Sequence, residues 1–223
     1  MQHYPHIPIC DNKEPLEILD ETEFVLEPAY FNMGVSDTKI IQLRSGAIER
    51  LREAKKNLQK ISGCEGWNFK IWDGFRPIKV QNQLCINLKK DLKAKYPNWS
   101  EEELQKGVME FLSPPSTDLS APAPHNTGGV VDLTLVDADG NEIPMGTDFD
   151  DFTEKSYTDY FSKAGSKEKM ANIYHENRIL FKKIMESVGF INDTCEWWHF
   201  AYGTQAWAAA INEKHAIYGS AEF

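Results

Sequence analysis

The chain has no long hydrophobic run and a deficit of basic residues, and each shortage argues against a class of protein. No apolar stretch approaches the roughly 18 residues that a membrane-spanning helix requires. The sequence has 24 lysines and arginines against 34 aspartates and glutamates, which gives a formal net charge of -10. Nucleic acids and anionic membrane surfaces both bind clustered positive charge, so neither is an expected partner.

Cysteine is also scarce, and none of the cysteines forms a CxxC pair, so a structural zinc site built from thiolates is not expected. Cys195 adjoins Glu196 but is not expected to bind a metal. The first six residues have neither the basic start nor the apolar stretch of a secretory signal peptide. We therefore expect a cytoplasmic protein with reduced thiols. A periplasmic protein is the alternative, and disulfides would favour it. The four cysteines are Cys10, Cys64, Cys85 and Cys195.

Length and residue patterning predict the architecture. The 223 residues, 41% of them hydrophobic, are expected to form a single domain spanning 1–223. Helices that are not interleaved with strands in a βαβ pattern predict an α+β fold, with a mainly antiparallel sheet flanked by helices and the metal site at the sheet. Apolar residues at helical spacing predict helices over about 36–63, 77–92, 100–112 and 172–188. Strands are predicted near 23–26, 68–72, 130–136, 190–191 and 196–202, and loops over 113–124 and 146–169.

Two distant segments carry the residue types of a catalytic zinc site. His125 and Asp132 bracket the pair Gly128-Gly129, and Glu196 and His199 enclose two tryptophans. A catalytic zinc takes three protein ligands and leaves one position open for water. Zinc lowers the pKa of that water towards about 7, which supplies a nucleophile at neutral pH. The sequence predicts one zinc per chain, held by His125, Asp132 and His199, with Glu196 free to act as the base.

Taken singly, these residues also have ordinary structural interpretations. His125 could be a loop histidine, and Glu196 could be a solvated carboxylate. Asp132, however, interrupts an apolar run, where an unpaired charge is costly and metal ligation compensates that cost. Residues three apart on a regular strand point to opposite faces, so Glu196 and His199 require a bend near Trp197. The remaining histidines, which lack such context, are expected on the surface: His3, His6, His175 and His215.

Four blocks in order resemble the D-alanyl-D-alanine dipeptidases, a group within the zinc D-Ala-D-Ala peptidases. The resemblance implies that His125, Asp132 and His199 bind zinc and that Glu196 is the catalytic base. It further implies that Arg76 stabilises the oxyanion and that Asp150 holds the free amino group of the substrate. The blocks are Trp72-Asp73-Gly74-Phe75-Arg76-Pro77, His125 to Leu135, Met145-Gly146-Thr147-Asp148-Phe149-Asp150 and Glu196-Trp197-Trp198-His199.

The resemblance implies a monomeric or weakly oligomeric enzyme that hydrolyses D-alanyl-D-alanine or a similarly small dipeptide. The segments at about 81–124 and 146–170 are expected to close the cleft against longer chains. One departure concerns substrate binding, because the family usually has serine two residues before the first zinc histidine and this chain has Ala123. Two other functions remain open: a carboxypeptidase or endopeptidase acting on peptidoglycan stems, and a non-catalytic zinc-binding or peptide-binding protein.

Overall fold

A five-stranded sheet forms the centre of the computed structural model, which describes residues 7–162 and 169–222. The strands in chain order are β1 (Leu16–Ile18), β2 (Val25–Leu26), β3 (Gln42–Arg44), β4 (Asn68–Asp73), β5 (Val130–Val136), β6 (Ile191–Asn192) and β7 (His199–Ala201). The central sheet has the order β2-β4-β5-β7-β6, and β1 pairs with β3 in a separate ribbon. Only the β2–β4 pairing is parallel among the described strands. The predicted α+β class with a mainly antiparallel sheet is confirmed.

Six α-helices and three short 3-10 helices lie among the described residues. The α-helices are α1 (Ala29–Asn32), α2 (Ser45–Leu58), α3 (Ile78–Lys95), α4 (Glu101–Phe111), α5 (Ala171–Glu186) and α6 (Gln205–Ala210). The 3-10 helices are Pro124–Thr127, Glu154–Ser156 and Tyr160–Ser162. At the start of α4 the Ser100 hydroxyl accepts from Glu103 N, and the Glu103 carboxylate accepts from Ser100 N. This capping box satisfies two backbone donors and fixes where α4 begins.

The two faces of the sheet have different functions. On β5, Val131, Leu133 and Leu135 belong to the main hydrophobic core, which also contains buried residues of α2 and α5. Alternate residues of a strand point to opposite faces, so Asp132 points away from this core. A second cluster, built on α3 and α4, includes Val80, Leu84, Leu88 and Val108. The strand that carries Asp132 is therefore anchored by apolar packing and presents a carboxylate on its other face.

The structure corrects three details of the predicted elements. The first long helix begins at Ser45, not near Ser36, because residues 42–44 form β3 and pair with β1. The helical spacing that included Ile40 and Leu43 was misleading: Leu43 is buried in a strand and Ile40 is 50% exposed. Ile173 belongs to the apolar spacing that predicts α5, but it is 45% exposed. The last strand is confined to residues 199–201, because 197 and 198 form a turn.

Other expectations concern exposure and the membrane. His215 is exposed and His175 is half-buried, while His3 and His6 lie outside the described residues. All four cysteines are free, as expected for reduced thiols. Within residues 7–162 and 169–222, no helix combines the length and the apolar character needed to cross a membrane.

Two adjacent glycines shape the connection between the 3-10 helix at Pro124–Thr127 and β5. Gly128 has a φ of 71°, a left-handed conformation that glycine adopts without steric cost. At Gly129 a Cβ atom would lie 2.3 Å from the carbonyl oxygen of Tyr202 and 2.7 Å from the Tyr218 ring. The backbone of this turn therefore packs directly against the segment that follows β7.

Replacing Gly129 with alanine should lower the free energy of unfolding by about 3 kcal/mol. The added methyl group would overlap a backbone carbonyl, which cannot move aside as a flexible side chain could. Gly140→Ala is the matched control, since Gly140 has a φ of 85° but no atom within 4 Å of the position that an added methyl group would occupy. It should cost only about 1 kcal/mol, the strain of a left-handed alanine. Urea unfolding measures both, and equal losses in the two variants would contradict the packing argument.

Candidate functional site

Strand register brings the predicted metal ligands together. Asp132 on β5 is the direct partner of His199 on β7, so their side chains emerge on the same face of the sheet. His125 reaches the same point from the 3-10 helix before the glycine turn. Ligand atoms of these three residues all lie within 4.8 Å of one another, and His125 and Asp132 are buried. The structure thus assembles the three residues that the sequence predicts as ligands.

Two distances within this cluster, one to each oxygen of Asp132, are close to the ligand separations of a tetrahedral metal site. Asp132 Oδ2 lies 3.3 Å from His125 Nε2, and Asp132 Oδ1 lies 3.2 Å from His199 Nδ1. Ligands bonded at about 2.0–2.1 Å in tetrahedral geometry are separated from each other by about 3.3 Å. Two histidine nitrogens and one carboxylate oxygen are also the donor types that a catalytic zinc takes.

Hydrogen bonding leaves the relevant atoms free for a metal. His125 Nδ1 lies 2.8 Å from the carbonyl oxygen of Gly74, to which it can donate its proton, so that Nε2 keeps the lone pair. Asp132 Oδ1 is buried and receives no hydrogen bond of acceptable geometry from the described residues. A buried carboxylate oxygen without a donor is costly, and a coordinated cation removes that cost. The residues present therefore fit a zinc ion.

Charges in the cluster are strongly coupled. Burial opposes ionisation of Asp132, but the neighbouring His125 and His199 outweigh it and hold the pKa of this carboxyl well below its usual range. Burial likewise opposes a charge on His199, yet the close contact with the negative charge of Asp132, together with Glu196, raises the pKa of His199 to about 9. A protonated His199 and a metal ion would therefore compensate the same negative charge on Asp132.

Glu196 lies next to the ligand cluster. His199 N donates to Glu196 O at 3.2 Å, which closes a turn through Trp197 and Trp198 and supplies the bend that the spacing required. The turn places Glu196 Oε2 3.5 Å from His199 Nδ1. Burial raises the pKa of Glu196 to about 8, with a further contribution from nearby carboxylates and an opposing one from His199. The side chain is thus close to the cluster and has the high proton affinity of a general base.

Arg76 is buried, and its donors are largely engaged. Nε donates to Asp73 Oδ2 at 2.8 Å, and Nη1 donates to Gln81 Oε1 at 2.9 Å. Nη2 donates to Tyr30 Oη at 3.1 Å and to Asp132 Oδ2 at 3.3 Å. Asp73 is only three residues from Arg76 in the sequence, whereas no sequence signal pointed to Tyr30 or Gln81. The guanidinium is therefore a fixed positive charge beside Asp132.

Asp150 lies on the other side of Tyr30. Its backbone has a φ of 58°, which is uncommon for a residue other than glycine. Tyr30 Oη donates to Asp150 Oδ1 at 3.5 Å, so a single tyrosine connects Asp150 with Arg76. Burial raises the pKa of Asp150 to about 7, and Arg76 opposes that rise. A carboxylate of this kind has a high affinity for a positively charged group that enters with a ligand.

These groups line one cavity of about 380 Å³, a size typical of small-molecule sites. The loop over 113–124 contributes one wall through Ser113, Ala121, Pro122 and Pro124. Ala123 is buried between the two prolines and is not among the described residues that line the cavity. The side chain at the position where the family usually has serine therefore faces away from the open space.

Comparison with known proteins places this geometry in context. A family model described as D-ala-D-ala dipeptidase matches residues 36–218. A D-alanyl-D-alanine dipeptidase of Synechocystis sp. is 30% identical over 243 residues, covering 100% of this chain and 98% of the relative. The enzyme of that name from Enterococcus faecalis is 31% identical and covers 75% of each chain. A zinc-bound vancomycin resistance D,D-pentapeptidase has a similar fold, with a TM-score of 0.50 and 13% identity over 97% of this chain and 94% of its own.

The buried position of Arg76 predicts a large effect on stability. Arg76→Met keeps the length of the side chain but leaves Asp73 and Asp132 without their cation, and breaking a buried pair typically costs about 3–5 kcal/mol. Arg52→Met is the control: Arg52 also forms an ion pair, with Glu23, but its side chain is 43% exposed. That change should cost less than about 1 kcal/mol.

Urea unfolding of the metal-free proteins measures the stability of the two variants. An Arg76→Met variant as stable as Arg52→Met would show that Arg76 does not compensate the charges of Asp73 and Asp132.

Proposed function

The chain belongs to the D-alanyl-D-alanine dipeptidase family, and we propose that it hydrolyses D-alanyl-D-alanine, or a similarly small dipeptide, at one zinc ion bound by His125, Asp132 and His199. The observation that carries this proposal is the cluster itself. Ligand atoms of two histidines and one aspartate, all of zinc-binding types, lie within 4.8 Å of one another, and the Glu196 carboxylate lies beside them. Glu196 also distinguishes the enzyme from a non-catalytic zinc-binding protein, because metal binding alone does not require it.

Zinc in this site supplies a Lewis acid for the scissile carbonyl and lowers the pKa of water. Glu196 is placed to accept a proton from the attacking water and to transfer it to the leaving amine as the C–N bond breaks. The carboxyl is ionised in the working enzyme because a neighbouring positive charge lowers a carboxyl pKa. One dipeptide and one water then give two free amino acids.

Arg76 also contributes to the hydrolysis, but through its positive charge, because its N–H donors are already engaged by neighbouring groups. Four neighbouring groups occupy donors of its guanidinium. We infer that this preorganised cation stabilises the negative charge that develops on the carbonyl oxygen. The network around it keeps the cation in place, so no reorganisation is needed when the charge appears.

Two parts of the cavity lining, Asp150 and the loop over 113–124, suggest how the dipeptide binds. Asp150 is the group suited to the free amino end, because it is a carboxylate in an enclosed site. The loop over 113–124 is fastened at Ser113 by Gln81 Nε2, at 2.6 Å, and at Ser120 by Gln205 Nε2, at 3.0 Å. Because this wall is hydrogen-bonded near both of its ends, we expect it not to open for a long peptidoglycan stem, which favours a small substrate. Turnover of D-alanyl-D-alanine and of a pentapeptide ending in D-Ala-D-Ala would separate these two substrate classes.

We further propose that residues 1–223 act as a single catalytic domain in a monomer or weak homo-oligomer. The four free cysteines favour the cytoplasm over the periplasm, because an oxidising compartment favours disulfides. Fractionation of cells that express the natural chain would test the compartment.

Zinc content and turnover should separate when the base and a ligand are mutated. Glu196→Gln keeps the shape of the side chain but cannot accept a proton, so zinc should be retained while turnover of D-alanyl-D-alanine falls by at least about 10²–10⁴-fold. His199→Ala should lose both zinc and turnover. Elemental analysis and a D-alanine release assay on the same preparations measure the two quantities. His215→Ala, which changes an exposed histidine, is the control and should retain both.

Loss of zinc from Glu196→Gln would make Glu196 a ligand. Retention of both zinc and turnover would place the base elsewhere. Either result would overturn the proposed mechanism.

Preference for a free amino group should depend on pH through Asp150. The pKa of Asp150 is raised to about 7, so its carboxylate is present above that pH and becomes neutral below it. The ratio of kcat/KM for D-alanyl-D-alanine to that for its N-acetyl derivative should therefore fall as the pH is lowered through about 7. Loss of one partner of a buried charge pair costs about 2–5 kcal/mol, so the N-acetyl derivative should be a poor substrate above that pH.

Between about pH 5 and 7, where the substrate's amino group with its pKa of about 8 stays protonated, Asp150→Asn should give a low ratio that no longer changes with pH, because an amide does not titrate. Taking the ratio cancels the protonation of groups that act on both substrates, Glu196 among them. A pH-independent ratio in the unmodified enzyme would show that Asp150 does not bind the amino group.

A further inference from the structure

We propose that Arg178, Thr147 and Trp197 form a polar clamp that sets the position of Asp150 relative to Glu196, and that Thr147 is a positioning residue for binding the free amino end of the substrate. The inference rests on the proposed function, in which Asp150 binds the free amino group of the substrate and Glu196 is the catalytic base. None of the three clamp residues lines the cavity among the described residues. Their influence would therefore be exerted through the segments they connect.

Arg178 fastens the segment that carries Asp150. It is a buried residue of α5, and its Nε donates to Met145 O at 2.7 Å. Its Nη1 donates to Lys155 O at 2.8 Å and to Tyr157 O at 2.7 Å. One guanidinium thus holds backbone carbonyls on both sides of Asp150, and the planar arrangement of its donors keeps their relative positions fixed.

Thr147 connects this segment with the residue that follows the base. Its Oγ1 accepts a hydrogen bond of 2.7 Å from Trp197 Nε1 and one of 3.5 Å from Arg178 Nη2. The backbone of Trp197 is also bound, because Trp197 N donates to Ser156 O at 3.0 Å. The Arg178 guanidinium lies 5.6 Å from the Trp197 ring. The segments of Asp150 and Glu196 are therefore joined at the side chain and at the backbone.

Packing brings the remaining constraint. Phe149 stacks on Trp72 with ring centroids 4.7 Å apart, so the residue directly before Asp150 is held in the aromatic core. Stacked flat rings can slide past each other, whereas the hydrogen bond from Trp197 to Thr147 has a defined direction. At Gly146 a Cβ would lie 2.4 Å from the Phe161 ring, so the chain runs closely past the aromatic groups there. Thr147 is thus the point at which a directional bond locks the segment before it reaches Asp150.

The test removes the bond and keeps the shape. Thr147→Val deletes the hydroxyl, and Thr147→Ser restores it. A displaced Asp150 should raise KM for D-alanyl-D-alanine about tenfold with a much smaller change in kcat, since misplacement of a binding group weakens its contact with the substrate. The valine variant should leave kcat/KM for the N-acetyl derivative unchanged, because that substrate has no ammonium for Asp150. Thr147→Ser should restore the KM of the parent enzyme.

Thr22→Val makes the same chemical change at an exposed threonine of the turn before β2, outside the clamp and the cavity lining, and should leave KM unaltered. Zinc content and the urea midpoint, measured on each variant, report any general damage. Equal losses for the free and the N-acetylated dipeptide, or an unchanged KM in Thr147→Val, would overturn the inference while the proposed function stands. A parent enzyme that does not hydrolyse D-alanyl-D-alanine would instead overturn the proposed function, and the inference with it.

Discussion

A carboxylate buried in the central strand of the sheet is the constraint on which the site depends. Asp132 has a hydrophobic neighbour on each side along β5 and cannot reach bulk water, so its charge must be compensated by other side chains. His125, His199 and Arg76 all approach it within 3.2–3.3 Å. Because Asp132 is paired with Asp73 on one side and with His199 on the other, the sheet register itself decides which groups supply that compensation.

The residues that compensate the charge of Asp132 are themselves held by further polar contacts. Arg76 is positive, so it requires acceptors of its own, and it finds them on β4, on α3 and on α1 through Asp73, Gln81 and Tyr30. The same Tyr30 contacts Asp150, and Gln81 holds the cavity wall at Ser113. The walls that shape the cavity and the groups that carry its charge are therefore parts of one hydrogen-bonded network. A change in either is expected to move the other.

The sequence was informative where a function depends on neighbours along the chain. The proposed ligands lie in short blocks, and the need for a bend near Trp197 followed from strand geometry alone. Interactions between distant segments were not predictable in this way. Nothing in the sequence around Tyr30 indicates that it meets Arg76, and the clamp of Arg178 and Thr147 joins residues 31 positions apart. The error at residues 36–44 has the same origin, because pairing with β1 overrides the helical spacing of Ile40 and Leu43.

The balance of charge explains why such a cavity suits its ligands. Among the described residues that line it are four carboxyl groups and one guanidinium, so the acidic groups outnumber the permanent cation; the carboxyl groups are Asp132, Asp150, Asp193 and Glu196. The raised pKa values of Asp150 and Glu196 reflect this, because each can lower its free energy by taking up a proton when no cation is near. In the proposed function, a divalent metal beside Glu196 and a substrate ammonium beside Asp150 would replace those protons. The burial that disfavours unpaired charge in the cavity is thus also what would favour binding of a metal and of a substrate with a free amino group.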